Sequence, residues 1–325
     1  MLVYFIRRLT QSVVVVFLMA AIVFLGVYAI GNPIDVLINP EADQAERAAA
    51  IARLGLDKPL WEQFGIFLGN ALQGDLGTSF VHGTSALTLI LDRFPATFEL
   101  AVAAMLMAIL VGIPLGVIAG LYPDRAVGRI IMGGSILGFS LPTFWVGLML
   151  IMVFAVFLGW LPAAGRGDTV DLAGVPVSFL TWDGLSHLFL PALNLALFKT
   201  SLVIRLARAG TREVMLQDYI KFARAKGLTK RRVVGVHVMK NIMIPVVTVL
   251  GLELGSVIAF AVVTETVFAW PGIGKLLIDS IGNLDRPVVV AYLMLTVFLF
   301  IVINFAVDVL YSILDPRVRL SDTKG

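Results

Sequence analysis

The sequence contains no cysteine among its 325 residues, and only 14% of its residues are charged. Without cysteine, disulfide bonds, thiolate metal sites and cysteine nucleophiles are excluded. The three histidines, His82, His187 and His237, are dispersed along the chain and suggest no Ser/His pair or metal-binding cluster. The sequence therefore predicts no catalytic residue, no cofactor site and no metal site.

A phosphate-binding loop is also missing. Such a loop needs the pattern Gly-x4-Gly-Lys-Ser/Thr, whose backbone N–H groups and lysine hold the phosphates. The nearest string, at 272–276, reads Gly-Ile-Gly-Lys-Leu and lacks both the spacing and the hydroxyl. We therefore expect that the chain does not hydrolyse ATP itself. Its net charge of only +3 gives little support to nucleic-acid binding.

Apolar residues dominate the chain: 59% are hydrophobic and the mean hydropathy is +0.94. A soluble domain is not expected to be this apolar. A helix needs about twenty apolar residues to cross a bilayer. The segments that meet this need are 9–30, 96–120, 130–158, 187–204, 242–267 and 288–311. The sequence therefore predicts an all-α membrane protein with six transmembrane helices, in which Pro114 and Pro142 kink the second and third.

The distribution of basic residues predicts the orientation. With six spans, 17 lysines and arginines fall on the side that holds both termini and seven fall on the other side. The positive-inside rule then places both termini in the cytoplasm. We expect an N-terminal transmembrane helix at 1–30, an extracytoplasmic subdomain at 31–95 with an amphipathic helix at 41–54, a five-helix core at 96–312 and a cytoplasmic tail at 313–325.

Charged residues in or near the spans are functional candidates by default. Glu253 and Glu265 fall in the fifth span, whereas Glu99 and Asp308 lie near span ends, where water and headgroups can solvate them. The amine of Lys199 could extend from the fourth span to the inner face. The alternative to a functional role, such as proton relay, is that these charged side chains anchor the helices at the membrane interface or pair one helix with another. A proton-coupled secondary transporter would need an acid near the midplane, and only Glu253 suits that role.

The loop at 207–241 is rich in positive charge, since ten of the 25 basic residues lie between Arg205 and Lys240. Residues of one helical face recur within it: Tyr219, Phe222, Ala223 and Lys226. This spacing predicts a short helix that ends at Gly227, followed by a helix capped by Thr229. The loop suits docking to a partner or to anionic lipid. The positive-inside bias alone also produces such a charge run, so both interpretations stay open.

This loop resembles the coupling loop of the integral-membrane permease subunits of bacterial ATP-binding-cassette importers, in the version of the dipeptide/oligopeptide branch. The residues that carry the resemblance are Lys221, Phe222, Ala223, Arg224, Ala225, Lys226 and Gly227. The general family pattern is Glu-Ala-Ala, three residues, Gly. When the two are aligned on Gly227, only the second Ala, at Ala223, and the Gly are kept.

Other strings resemble the same branch over nearly the whole chain. They lie at 54–60, 74–79, 141–145, 158–162, 265–274 and 308–319. The resemblance singles out candidate gate or packing residues: Pro142, Trp145, Glu265, Pro271 and Gly272. It also singles out a C-terminal motif: Asp315, Pro316 and Arg317. Their order along the chain makes the resemblance specific.

The resemblance implies a type I importer permease fold in the bacterial inner membrane. The chain would form half of a translocation pore, paired with a second homologous permease as a heterodimer. Two cytoplasmic ATPase subunits would dock on Phe222, Ala223 and Gly227, with Arg224 and Lys226 against the ATPase surface. An extracytoplasmic binding protein would deliver di- or oligopeptides, with a nickel chelate, glutathione or an oligosaccharide as alternative cargo. An ion-coupled secondary transporter and a membrane-embedded enzyme are the competing hypotheses.

Overall fold

The computed structural model describes residues 2–29, 43–53 and 57–314, most of which are helical. In chain order the helices are α1 (Leu2–Ala29), α2 (Gln44–Arg53), α3 (Leu60–Leu72), α4 (Ala86–Leu121), α5 (Ala126–Ser140), α6 (Thr143–Leu150), α7 (Trp182–Met215), α8 (Asp218–Ala225), α9 (Lys230–Arg232), α10 (Met239–Phe260), α11 (Val262–Val267), α12 (Ile273–Gly282) and α13 (Arg286–Leu314). A π-helical stretch, Ile151–Phe157, continues α6, and a second one, Val233–Val238, joins α9 to α10.

The chain divides into two compact units. The first unit comprises Met1–Phe94 and Lys275–Val302, and the second comprises Pro95–Gly274 and Ile303–Gly325. The boundary expected at residue 95 between the outer subdomain and the next span falls inside a continuous helix. α4 begins at Ala86, ten residues before the span predicted at 96–120, and it continues through Pro95.

The membrane-spanning segments match the predicted ones in part. α4, α7 and residues 286–307 of α13 are each long and apolar enough to cross a bilayer. Two further candidates are bent helix pairs: α5 with Thr143–Phe157, bent by 104°, and Lys230–Met243 with Pro245–Phe260, bent by 45°. The apolar part of α1 among the described residues, Thr10–Gly26, is shorter than that length. The described residues thus account for up to five of the six predicted spans.

The prolines in these spans act differently. Pro142 forms the N-cap of α6, at the point where the predicted third span is broken rather than kinked. A second bend lies next to Pro245, which removes a helical hydrogen bond at that point. α4 continues through Pro114 to Leu121.

A small β-hairpin departs from the all-α prediction. Val170–Leu172 (β1) pairs antiparallel with Val175–Val177 (β2). The two residues between them, Ala173 and Gly174, both have positive φ, at 55° and 87°. This is the conformation that a two-residue hairpin turn requires.

α7 is the central helix of the second unit and packs against α5, α6, α10 and α11. It also packs closely against α4. A Cβ atom built on Gly112, Gly116 or Gly120 of α4 would lie only 2.6–2.7 Å from a side chain of α7. The residues it would meet there are Val203, Ala207 and Thr211. Glycine at every fourth position therefore lets the two backbones approach each other.

Candidate functional site

The basic segment, defined here as residues 218–232, has the helix–glycine–helix form that the sequence predicts. α8 ends at Ala225, and Gly227 follows with a φ of +78°. The N–H of Leu228 donates to the carbonyl of Ala223, and the N–H of Gly227 donates to that of Arg224. These two bonds form a Schellman motif, which favours glycine at its left-handed position. The Thr229 hydroxyl then accepts a hydrogen bond from the N–H of Arg232 at 3.4 Å and caps α9, as predicted.

The residues of the predicted stripe on α8 differ in exposure. Ile220 is fully buried and Ala223 is 5% exposed, and α8 packs on the π-helical stretch Val233–Val238. Phe222 is 61% exposed and Tyr219 is 43% exposed. The expected stripe of small and aromatic residues is therefore split. Ala223 packs α8 against its own chain, so of the expected docking residues Phe222 is exposed and Ala223 is buried.

The exposed face of the basic segment combines aromatic and cationic groups. The Nζ of Lys226 lies 4.6 Å from the centroid of the Phe222 ring. Lys221 forms an ion pair with Asp218 at 2.8 Å, and its hydrogen bond and charge lower the pKa of the Asp218 carboxyl. Arg224 is exposed, with a guanidinium nitrogen 3.7 Å from Met215 Sδ. This surface can bind a partner that offers an apolar pocket with acidic groups around it.

A single lysine ties the basic segment to the connection between α4 and α5. The Nζ of Lys230 donates to the hydroxyl of Tyr122 at 2.6 Å and lies 4.1 Å from the centroid of its ring. This hydrogen bond and the lysine charge lower the pKa of Tyr122. Arg125 also lies over the Tyr122 ring, at 4.9 Å. Lys230 thus links α9 to Tyr122.

The Trp-Pro-Gly turn, defined here as residues 265–274, is built around a buried carboxylate. Glu265 is fully buried and accepts a hydrogen bond from the Thr97 hydroxyl at 2.6 Å. The oxygen of that hydroxyl in turn accepts the N–H of Ile273 at 2.9 Å. Trp270, also fully buried, donates its indole N–H to the carbonyl of Ala96 at 2.9 Å. The turn is therefore fastened to α4 by three side chains.

Two glycines make room for this carboxylate. A Cβ atom on Gly272 would lie 2.3 Å from an oxygen of Glu265, and one on Gly274 would lie 2.6 Å from the Cα of Val262. Of the candidate gate or packing residues, the structure thus brings Glu265 and Gly272 together, with Pro271 between Trp270 and Gly272. Pro142 and Trp145 lie at the start of α6 and are exposed. The turn is consequently a rigid packed element rather than a flexible loop.

Glu99 is part of a network that the sequence did not suggest. Its side chain is 5% exposed and pairs with a guanidinium nitrogen of Arg166 at 2.6 Å. It also accepts the N–H and the hydroxyl of Ser178 and the N–H of Phe179. Glu99 was expected to be solvated by water or headgroups, and the structure corrects this. Removing the arginine would leave a buried carboxylate without its counter-charge, at a cost of about 3–5 kcal/mol.

Lys199 and Glu253 meet between α7 and α10. The Nζ of Lys199 lies 2.5 Å from Oε2 of Glu253 and 2.9 Å from the Ser256 hydroxyl. Of the alternatives for these charges, pairing between helices is therefore the one observed. The sequence signal for this pair was one positive and one negative residue in two different apolar spans. The sequence does not show that the two residues lie at the same level, because it does not give the register of the helices.

Some predicted residues and ranges lie outside the described part of the chain. Asp315, Pro316 and Arg317 of the C-terminal motif belong to this group, as do residues 54–56 of the first outer string. Within the described residues, no group of three or more histidine or acidic residues could hold a metal ion.

Comparison with known proteins identifies the family. Residues 112–320 match the family described as "Binding-protein-dependent transport system inner membrane component". Residues 1–101 match the corresponding N-terminal family of membrane components. Together the two matches cover most of the chain, and they include the basic segment, the Trp-Pro-Gly turn and the Lys199–Glu253 pair.

Several curated proteins are similar over nearly their full length. The di/tripeptide transport system permease protein DppB of Pseudomonas aeruginosa is 43% identical, covering 89% of this chain and 90% of that protein. The dipeptide transport system permease protein DppB of Escherichia coli K12 is 37% identical over 98% of this chain and 99% of its own. The glutathione transport system permease protein GsiC of the same strain is 38% identical with the same coverage.

The fold also matches a solved transporter. A chain of the MetNI methionine ABC transporter, in inward-facing conformations, superposes with a TM-score of 0.55 at 16% identity. The match covers 70% of this chain and 96% of the other. It confirms the expected relation to the fold of ABC importer permeases. The chain therefore belongs to the family of binding-protein-dependent transport system inner membrane components, as a multi-pass transport permease rather than an enzyme.

Proposed function

We propose that this chain is a pore-forming subunit of an ATP-driven importer of di- and oligopeptides. It pairs with a second homologous permease and receives cargo from an extracytoplasmic binding protein. The family supports dependence on a binding protein, and a self-sufficient ion-coupled carrier does not fit it. The names of the similar permeases support a peptide cargo, because di- and tripeptides and glutathione are all short peptides.

In this proposal the chain crosses the inner membrane six times, with both termini and the basic segment in the cytoplasm. The excess of lysine and arginine in the basic segment supports this orientation. α7 carries Trp182 at one end and leads into the basic segment at the other, about 50 Å along the helix axis. The loop that holds the β-hairpin then lies outside the membrane.

The basic segment docks on one of two cytoplasmic ATPase subunits. The observation that carries this assignment is the exposed aromatic ring of Phe222, at 61% exposure, with Lys226 over its face. An aromatic side chain of this kind in a polar loop is typical of the central anchor of an interface. Arg224 and Lys226 supply charge at the rim. Ala223 acts indirectly, because it fixes the angle at which α8 presents Phe222.

ATP binding closes the two ATPases and moves the basic segments towards each other. Lys230 passes this movement to Tyr122, between α4 and α5, and the π-helical stretch passes it into α10. α10 leads through α11 into the rigid Trp-Pro-Gly turn, so the helix and the turn move together. The pore alternates between two states that ligands at a distant site bias. Hydrolysis resets the cycle.

The docking assignment is tested by purification of the complex in mild detergent from membranes that carry Phe222→Ser. We expect this variant to lose the co-purifying P-loop ATPase and to retain the second permease. The matched control is Trp182→Ser, since Trp182 is 89% exposed at the other end of α7. A Phe222→Ser variant that retains the ATPase as wild type does would overturn the docking assignment.

The transport function is tested with the complete complex in proteoliposomes, supplied with its binding protein and labelled L-alanyl-L-alanine. We expect uptake only when ATP is present on the side of the basic segment. If the chain instead purifies alone and transports without ATP, it is a secondary carrier and the proposed function is wrong.

A further inference from the structure

The ion pair between Lys199 and Glu253 occupies an unusual position for two charges. Lys199 lies near the middle of α7, a helix apolar and long enough to span a bilayer. Glu253 lies about 12 Å from Pro245 and about 10 Å from Phe260 along α10. Both groups are therefore placed well inside the apolar part of their helices, away from the headgroups.

The pair is not sealed inside the second unit. The side chain of Glu253 is 29% exposed and that of Lys199 is 12% exposed. Charged groups at this depth almost always face the interior of a bundle or a water-filled cavity, because exposure to lipid is costly. The side of α10 that bears Glu253 consequently faces an aqueous path or another protein rather than lipid.

The hydrogen bonds of the pair leave one oxygen of Glu253 available. Lys199 and the Ser256 hydroxyl both donate to Oε2. Among the residues that the structure describes, no donor is bound to Oε1. Oε1 is not among the buried side-chain atoms that lack a partner, and the Glu253 side chain is 29% exposed, so this oxygen can be reached by water or a ligand. The natural ligand for a carboxylate oxygen in such a path is a small cation or ammonium group.

We propose that Oε1 of Glu253 forms a subsite on the translocation path for the α-ammonium group of the peptide cargo. Lys199 is the positioning residue: it holds the carboxylate in place and neutralises its charge when the path is empty. The inference rests on the proposed peptide-import function. Because the site is already paired with Lys199, it binds cargo weakly, which a transport path requires if the cargo is to leave again.

Variants of Glu253 in the complete transporter test the subsite. The readouts are the uptake of labelled L-alanyl-L-alanine into proteoliposomes and ATP hydrolysis stimulated by the loaded binding protein. We expect Glu253→Gln to lower uptake by about tenfold, because it removes a charge-assisted hydrogen bond, while ATP hydrolysis continues. Glu253→Asp keeps the charge and should retain most of the uptake. The control is Glu62→Gln, which removes the carboxylate charge from the exposed ion pair of Lys58 and Glu62.

A swapped pair, Lys199→Glu with Glu253→Lys, separates a subsite from a structural bridge. The swap restores the ion pair but places a cation where the ammonium group binds, so we expect uptake to stay low. Full recovery by the swap would show a structural bridge or a contact to the second permease, and would overturn the subsite. Normal uptake by Glu253→Gln would also overturn the subsite. Equal losses of uptake in the Gln and Asp variants would overturn it as well.

The wild-type complex separates this inference from the function on which it rests. If it imports L-alanyl-L-alanine with ATP and the Glu253 variants behave like wild type, the subsite is wrong and the proposed function stands. If the wild-type complex does not import the dipeptide at all, the proposed function and the subsite both fail.

Discussion

Single residues in this chain act mainly through backbone geometry and burial. Gly227 has open space around the position of a Cβ atom, so its role comes from its φ of +78° and not from close packing. Gly272 is the opposite case, because a Cβ atom there would overlap the Glu265 carboxylate. The sequence pattern pointed to both glycines. Only the structure shows that Gly227 is needed for its left-handed backbone conformation and that Gly272 is needed because a larger residue would overlap the Glu265 carboxylate.

Substitution of Gly227 distinguishes these causes. Gly227→Val should reduce ATP-driven uptake at least about tenfold without affecting membrane insertion, because a β-branched residue is strained in the left-handed region and the exit from α8 must change. Gly227→Asn should retain most of the uptake, since asparagine tolerates that region. The measurement is peptide uptake at equal amounts of protein in the membrane. Equal activity of the Val and Asn variants would contradict this account.

Helices of the second unit are held together by small residues and by a few buried polar groups. Glycines at every fourth position of α4, Gly112, Gly116 and Gly120, meet α7, a local pattern that the sequence analysis did not single out. The Glu99–Arg166 pair was not visible, because its members are 67 residues apart and Arg166 belongs to an irregular loop. Local patterns predict which face of a helix is small, whereas a loop that folds back over a helix end leaves no periodic signal.

The contact between α4 and α7 is tested by Gly116→Ala. A Cβ atom there would lie 2.7 Å from the carbonyl oxygen of Ile204, and a backbone group cannot move aside cheaply. We expect a loss of about 1–3 kcal/mol in stability, typical of overpacking, seen as a lower midpoint of thermal unfolding in detergent.

The control for this contact is Gly133→Ala in α5, where a Cβ atom meets nothing within 4 Å. Alanine favours a helix over glycine by about 1 kcal/mol, so this variant should be neutral or more stable. If both variants raised the midpoint, the close contact between the helices would not exist.

At the scale of the whole molecule, the lack of cysteine is an advantage for testing the proposed orientation. Single cysteines can be introduced into an otherwise unreactive chain at Trp182 and Arg231, both exposed. An impermeant maleimide added to intact cells should label Trp182→Cys and should not label Arg231→Cys. Permeabilised membranes should allow labelling of both. The reverse pattern in intact cells would invert the topology and place the basic segment outside.

The sequence by itself determined the class of this protein and the local form of its elements. Long apolar runs must lie in lipid or in a core, and glycine, proline and Thr229 direct the backbone around the basic segment through local sterics and capping. The family followed from short strings in a fixed order. These are properties of neighbouring residues, and so they can be read along the chain.

Only the tertiary structure decided what meets across the helices. It showed that Ala223 is buried and Phe222 exposed, that Glu99 is paired, and that Glu265 is enclosed by the turn that follows it. It also joined Lys199 to Glu253 across 54 residues. The physical reason is that these contacts depend on the rotation and register of packed helices, which the packing of many distant side chains sets together.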